Sequence, residues 1–140
     1  FWTERIGPSA AVKTLEGMQR EKSWVRISAQ GADIKARWEK LADKHGLNIA
    51  VSGLDALATF AFIGSNALAY KTLVTQEMLN KGYLAGTGVY SSLSHTPQII
   101  SGYFDALDGV FAMIAECEGG RDIASLLKGP IAHAGFARLN

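Results

Sequence analysis

Apolar positions along the chain recur at helical spacing, then alternate, then return to helical spacing. Val12, Leu15 and Met18 predict a first helix over residues 9–20, buried on that side, after an extended lead-in over residues 1–7 broken at Gly7-Pro8. Gly17 weakens this helix by about 1 kcal/mol relative to Ala. Trp24, Ile27, Ile34, Trp38 and Leu41 share one stripe and predict a second, longer helix with both tryptophans in the core. Ser23 is its expected cap. Lys44 and His45 suit its negative C-terminal end, and Gly46 suits the left-handed position that closes it. Gly31 lies on the same stripe, so another backbone is expected to pass close by.

Alternation takes over at residues 48–51 and 56–62, two strand candidates joined by Ser52-Gly53-Leu54-Asp55 as a hairpin connection. Ala56, Ala58, Phe60 and Phe62 fall on one face of the second. A third helix runs from a Ser65 cap to Lys81, burying Ala67, Tyr70, Val74 and Met78, and stops at Gly82. Residues 83–94 read as a strand. Thr96-Pro97 then starts a long helix, Thr as cap and Pro pre-set for the first turn. Ile100, Tyr103, Leu107, Val110 and Ile114 commit one face of that helix to a core. Gly119-Gly120 breaks it, and Asp122 caps a short helix through Leu127 before an irregular tail.

The order α-α-β-β-α-β-α predicts an α+β fold: a small antiparallel or mixed sheet of about three strands covered by long helices. The 140 residues read as one domain, with a lead-in over 1–8, a body over 9–118 and a short helix and tail over 119–140.

Charge narrows the function classes. A formal net charge of +1 with acids and bases interspersed offers no basic face for nucleic acid. No apolar run approaches the roughly 20 residues of a membrane span. The lone Cys117 has no internal partner, which fits a reducing cytoplasm. The opening Phe-Trp-Thr-Glu-Arg has neither initiator Met nor signal-peptide character, and so points to a fragment of a longer protein.

Candidate chemistry is sparse. His45, His95 and His133 lie far apart, each without a second ligand at metal spacing. There is no nucleophile elbow, P-loop or dinucleotide fingerprint. Gly86-Thr87-Gly88 inside a strand reads as a bulge or close backbone approach rather than a phosphate cradle. His95 precedes a helix cap and reads as a turn-closing residue, with a general base as the alternative. Glu4-Arg5, beside Trp2 and Thr3, reads either as a solvated lead-in or as a loop contacting a carboxylate through the arginine fork. From Tyr90-Ser91-Ser92, every second hydroxyl can face a cleft.

FWTERIGPSAAVKTLEGM, VSGLDALATFAF and the Ser92-Leu93-Ser94-His95-Thr96 helix junction together resemble the C-terminal segment of class III aminotransferases. The branch they resemble is the one related to glutamate-1-semialdehyde aminomutase. The resemblance covers nearly the whole chain in the right order. It implies the small C-terminal domain of a fold type I pyridoxal phosphate enzyme, a homodimer that transfers an amino group to an aldehyde or keto acceptor. It also implies partners: the enzyme's own large catalytic domain, a second subunit and a small-molecule substrate. The Schiff-base lysine, the acid facing the pyridine nitrogen and the phosphate loop lie upstream of Phe1 in that family, so no catalytic residue is expected here and the fragment alone is expected to be inactive. Thr3 lies next to the position of the family's phosphate-contacting threonine and is the cofactor-binding candidate. Trp2, Glu4, Arg5 and Tyr90 are the substrate-binding candidates. Thr87-Gly88-Val89 stands where aminomutases carry an acid, which points to plain amino transfer. A stand-alone α+β ligand-sensing or interaction module without cofactor is the other class the sequence admits.

Overall fold

A computed structural model describes residues 4–133. Within them the chain runs α1 (Ile6–Glu21), α2 (Ser23–His45), β1 (Ile49–Ser52), β2 (Leu57–Phe62), α3 (Ala67–Asn80), β3 (Gly88–Tyr90), α4 (Pro97–Glu118) and a 3₁₀ turn (Ile123–Ser125). The strands form one antiparallel sheet in the order β1-β2-β3. The fold is therefore α+β, as the order of elements predicts.

The central strand explains where the core sits. On β2, Ala58, Phe60 and Phe62 are buried, whereas Ala61 is exposed and Thr59 bonds to Ser52 across the other face at 3.0 Å. Alternation therefore gives the sheet one apolar face, and α2, α3 and α4 cover it. Phe111 of α4 meets the rings of both Phe60 (5.9 Å) and Phe62 (5.6 Å), while Trp38 of α2 lies 4.9 Å from Phe60. Such tilted and edge-on contacts are the favourable aromatic geometries.

The late helix forms as its sequence dictates. Thr96 Oγ1 accepts from the Ile99 N–H at 3.3 Å, Pro97 occupies the first turn, and Ile100, Tyr103, Leu107, Val110 and Ile114 are all buried. The hairpin turns at Gly53, whose φ of 84° only glycine adopts without strain. Gly31 is where α2 crosses that hairpin: a Cβ there would stand 1.5 Å from the Asp55 carbonyl oxygen. Gly46 closes α2 at φ 66° and Gly82 follows α3 at φ 86°.

Several expectations need correction. The lead-in is not extended up to Gly7, because α1 begins at Ile6 and takes Gly7 and Pro8 into its first turn, where a missing N–H costs nothing. Val12 and Leu15 are 53 and 64 % exposed, with Met18 also exposed, because α1 packs mainly along α2 and buries no residue. Ser23 does not cap α2. The break is made by Lys22 in the left-handed conformation (φ 47°), so Ser23 is already helical and its Oγ is buried without a partner. Trp24 is 49 % exposed, since the buried stripe of α2 runs through Gly31, Ile34, Trp38 and Ala42, and of its first turn only Ser23 is buried. Ser65 does not cap α3 either: Asn66 holds that position without a side-chain bond. Ala67 at the start of α3 is only half-buried. The strand expected over residues 83–94 shrinks to Gly88–Tyr90, the stretch that pairs with β2, and the helix after Asp122 shrinks to one 3₁₀ turn. The tail beyond His133 lies outside the described residues.

Candidate functional site

A cleft of about 280 Å³ opens where α2, the segment leading into β3, and the start of α4 converge. Ile34 of α2 and Ile100 and Tyr103 of α4 are the buried residues of its wall. Tyr83 and Ala85 close one side, Val89 the sheet side, and His95 and Ile99 the helix-junction side. Leu84 and Tyr90 stand at the open rim, 95 and 77 % exposed. The surface is mainly apolar with a few hydroxyls and one imidazole, the composition of a small-molecule pocket at the small end of the usual range.

Local sequence explains this assembly. The pairing of Leu57 with Tyr90 and Thr59 with Gly88 fixes β3 on the edge of the sheet, so Val89 turns to the helices and Tyr90 away from them. Gly102 lets Tyr83 lie across α4, since a Cβ there would meet the Tyr83 Oη at 2.7 Å. The two rings of Tyr83 and Tyr103 then stand edge-on at 6.2 Å. Beneath them the Trp38 indole N–H donates to Tyr103 Oη at 3.0 Å. Burial pushes the Tyr103 hydroxyl up to about 12, with the Trp38 bond acting the other way, so this group stays protonated as a donor at physiological pH.

His95 does both things its position allows. Its backbone N–H donates to Ser92 O at 3.1 Å and helps close the turn before α4, while its side chain joins the cleft wall. No hydrogen bond orients its ring among the described residues, so it lacks the partner a general base needs. Gly88 approaches β2 closely (a Cβ would lie 3.4 Å from Thr59 Cγ2), whereas Gly86 lies in the loop with open space around it.

The other sequence candidates fall elsewhere. Trp2 and Thr3 lie outside the described residues. Glu4 and Arg5 are exposed at the start of α1, no ion pair joins them among the described residues, and neither lines the cleft. Of the described candidates, Tyr90 alone borders it. Tyr83, Ile99 and Tyr103 carry no motif, and the one usable signal was glycine beside tyrosine at 102–103. Elsewhere, burial pushes the thiol of the free, buried Cys117 up, away from the thiolate form that reacts. Among the described residues no three His, Cys, Asp or Glu side chains gather as a metal site, and no helix is long and apolar enough to cross a membrane.

With the α+β class and the cleft defined, comparison with known proteins becomes informative. No protein-family model matches the chain. Among solved structures, it is similar to the pyridoxal phosphate internal aldimine form of the FumI protein of Sphingopyxis sp. MTA144. The match has a TM-score of 0.70 at 19 % identity and covers 84 % of this chain. The chain spans 29 % of the length of that protein. At this identity the likeness establishes a shared fold.

The described residues do not form a pyridoxal phosphate site. Such a site needs an amine for the aldehyde, a charged partner for the ring nitrogen, and donors for the phosphate. The cleft contains no Lys, Arg, Asp or Glu. Of the lysines, Lys35 is engaged by the Gly53 carbonyl and Asp55, and Lys44 by Asp108.

Proposed function

We propose that the chain is the small domain of a pyridoxal phosphate-dependent aminotransferase of the class III kind, the cofactor being held by residues outside this chain. The observation that carries the reading is the fold it shares, over 84 % of its length, with a pyridoxal phosphate protein of which it spans only 29 %. The ordered sequence resemblance from Phe1 through Thr96 supports the finer assignment. In this reading the parent enzyme is a cytoplasmic homodimer that moves an amino group between a donor and an aldehyde or keto acceptor. Thr3 reaches toward the cofactor phosphate, and Trp2, Glu4, Arg5 and Tyr90 serve the substrate mouth. Arg5 stands exposed at the N-terminal end of α1, and its side chain does not cap that helix.

The test is made on the full-length polypeptide. The expected result is a protein roughly three times this length, estimated from its 29 % share of FumI on the assumption that domains add by length. It should carry a visible cofactor band that borohydride bleaches with covalent trapping of the pyridoxyl group on a lysine outside this chain. A folded, colourless polypeptide that never takes up pyridoxal phosphate would refute the proposal. It would favour the second reading, a ligand-binding module, for which the cleft is the supporting observation.

A further inference from the structure

Tyr103 is the least expected feature of the cleft. Its side chain is only 8 % exposed and it forms part of the cleft wall. Its hydroxyl oxygen already accepts from the Trp38 indole N–H, which fixes the phenol as an acceptor on that side. A phenol also carries one proton to donate. Among the described residues no acceptor takes it. A buried donor without an acceptor is costly, on the order of 1–3 kcal/mol, and native structures rarely keep one without a reason.

Two further polar groups, both only half-buried, lie on the same wall. The Tyr83 hydroxyl and the His95 ring have no hydrogen-bond partner among the described residues, while the remaining wall at Ile34, Val89 and Ile100 is apolar. The cleft thus combines apolar walls with hydrogen-bond donors and no carboxylate. Its preference is for an occupant that is apolar over most of its surface and presents an acceptor oxygen.

We infer that the cleft between β3 and α4 is a binding site for a small apolar molecule bearing a single carbonyl or carboxylate oxygen, which accepts the hydrogen bond that Tyr103 has left to give. The inference does not rest on the aminotransferase reading, although Tyr90, assigned there to the substrate mouth, stands at the rim of this cleft. A volume of about 280 Å³ accommodates a six-membered carbocycle with one polar substituent. With its oxygen accepting from Trp38 and its proton given to the ligand, Tyr103 becomes the middle of a short polarised chain, and ligand binding tightens the Trp38 bond.

The experiment titrates the protein with cyclohexanone, cyclohexanecarboxylate and cyclohexane while following backbone amide and indole N–H resonances. The expected result is saturable movement of the Val89, His95 and Ile100 amides and a downfield shift of the Trp38 indole proton with the ketone, the carboxylate or both. The arm that binds tells which oxygen chemistry the site takes. Cyclohexane should bind roughly tenfold more weakly, the size of one hydrogen bond. Tyr103→Phe should erase that preference. Because it leaves the buried Trp38 N–H unpaired and could impair folding, Ala85→Phe serves as a second variant that fills the cleft and should abolish binding of all three. Equal binding of cyclohexane, no saturable shifts at millimolar ligand, or full binding by Ala85→Phe would each overturn the inference.

Discussion

At the scale of single residues, the position with the least freedom is Gly31. In an exposed helix interior, Gly→Ala gains about 1 kcal/mol because the chain loses less entropy on folding. At Gly31 the new Cβ would stand 1.5 Å from the Asp55 carbonyl oxygen and 2.5 Å from its carbon, both backbone atoms of the hairpin. Neither can rotate away, so α2 and the β1–β2 turn must separate. Overpacking of that kind costs about 1–3 kcal/mol and outweighs the propensity gain. Gly31→Ala is therefore expected to lower the urea midpoint with an unchanged m-value. Gly17→Ala is the matched control on exposed α1, where the nearest atom is the Arg20 guanidinium end at 4.0 Å, and should be neutral or stabilising. If both changes behave alike, the α2–hairpin crossing is looser than these distances imply.

Between elements, one polar clamp ties the C-terminal end of α2 to the middle of α4. Lys44 Nζ and His45 Nε2 each lie 2.7 Å from the same Asp108 oxygen. The two bases also sit at the negative end of the α2 dipole. The hydrogen bond from Lys44, then that from His45, hold the Asp108 carboxyl below its ordinary value of 3.8. A carboxylate whose folded pKa is depressed contributes stability above its unfolded pKa and loses it as the pH falls through the folded one. Asp108 is more than a third exposed, so solvent screening limits the effect to about 0.5–1 kcal/mol. Asp108→Asn should be less stable than the parent by that amount at neutral pH. The gap should close as the pH falls below 3.8. Chemical denaturation across the pH range checks it, and an Asn variant equally stable at pH 7 would show that the clamp contributes nothing.

At the scale of the whole molecule, what was legible in the sequence is whatever local pattern alone decides. The α4 stripe, the Thr96 cap, the β2 alternation and the Gly31 crossing could be read because each follows from spacing or from a missing side chain. The cleft could not, because Tyr83, His95 and Tyr103 meet only through strand pairing and the gap at Gly102. Helix α1 departs from expectation for a third reason: Val12, Leu15 and Met18 announce a face to be covered without saying by what, and among the described residues they stay exposed. That has a measurable consequence. A helix of 16 residues with no buried position gains little from tertiary packing, and isolated helices of such length are marginal in water. Among the described residues the buried core comes from α2, Leu47 just after it, β2, α3 and α4, and takes no residue from α1. Removing residues 1–21 should therefore take helical signal from the far-ultraviolet spectrum while leaving the cooperative unfolding midpoint nearly unchanged, within the ±0.5 kcal/mol typical of surface changes. A truncated chain that fails to fold, or that unfolds at a much lower urea concentration, would mean that α1 supports α2 more than its exposure indicates. An unchanged midpoint would leave the exposed α1 stripe with no part in the stability of the described core.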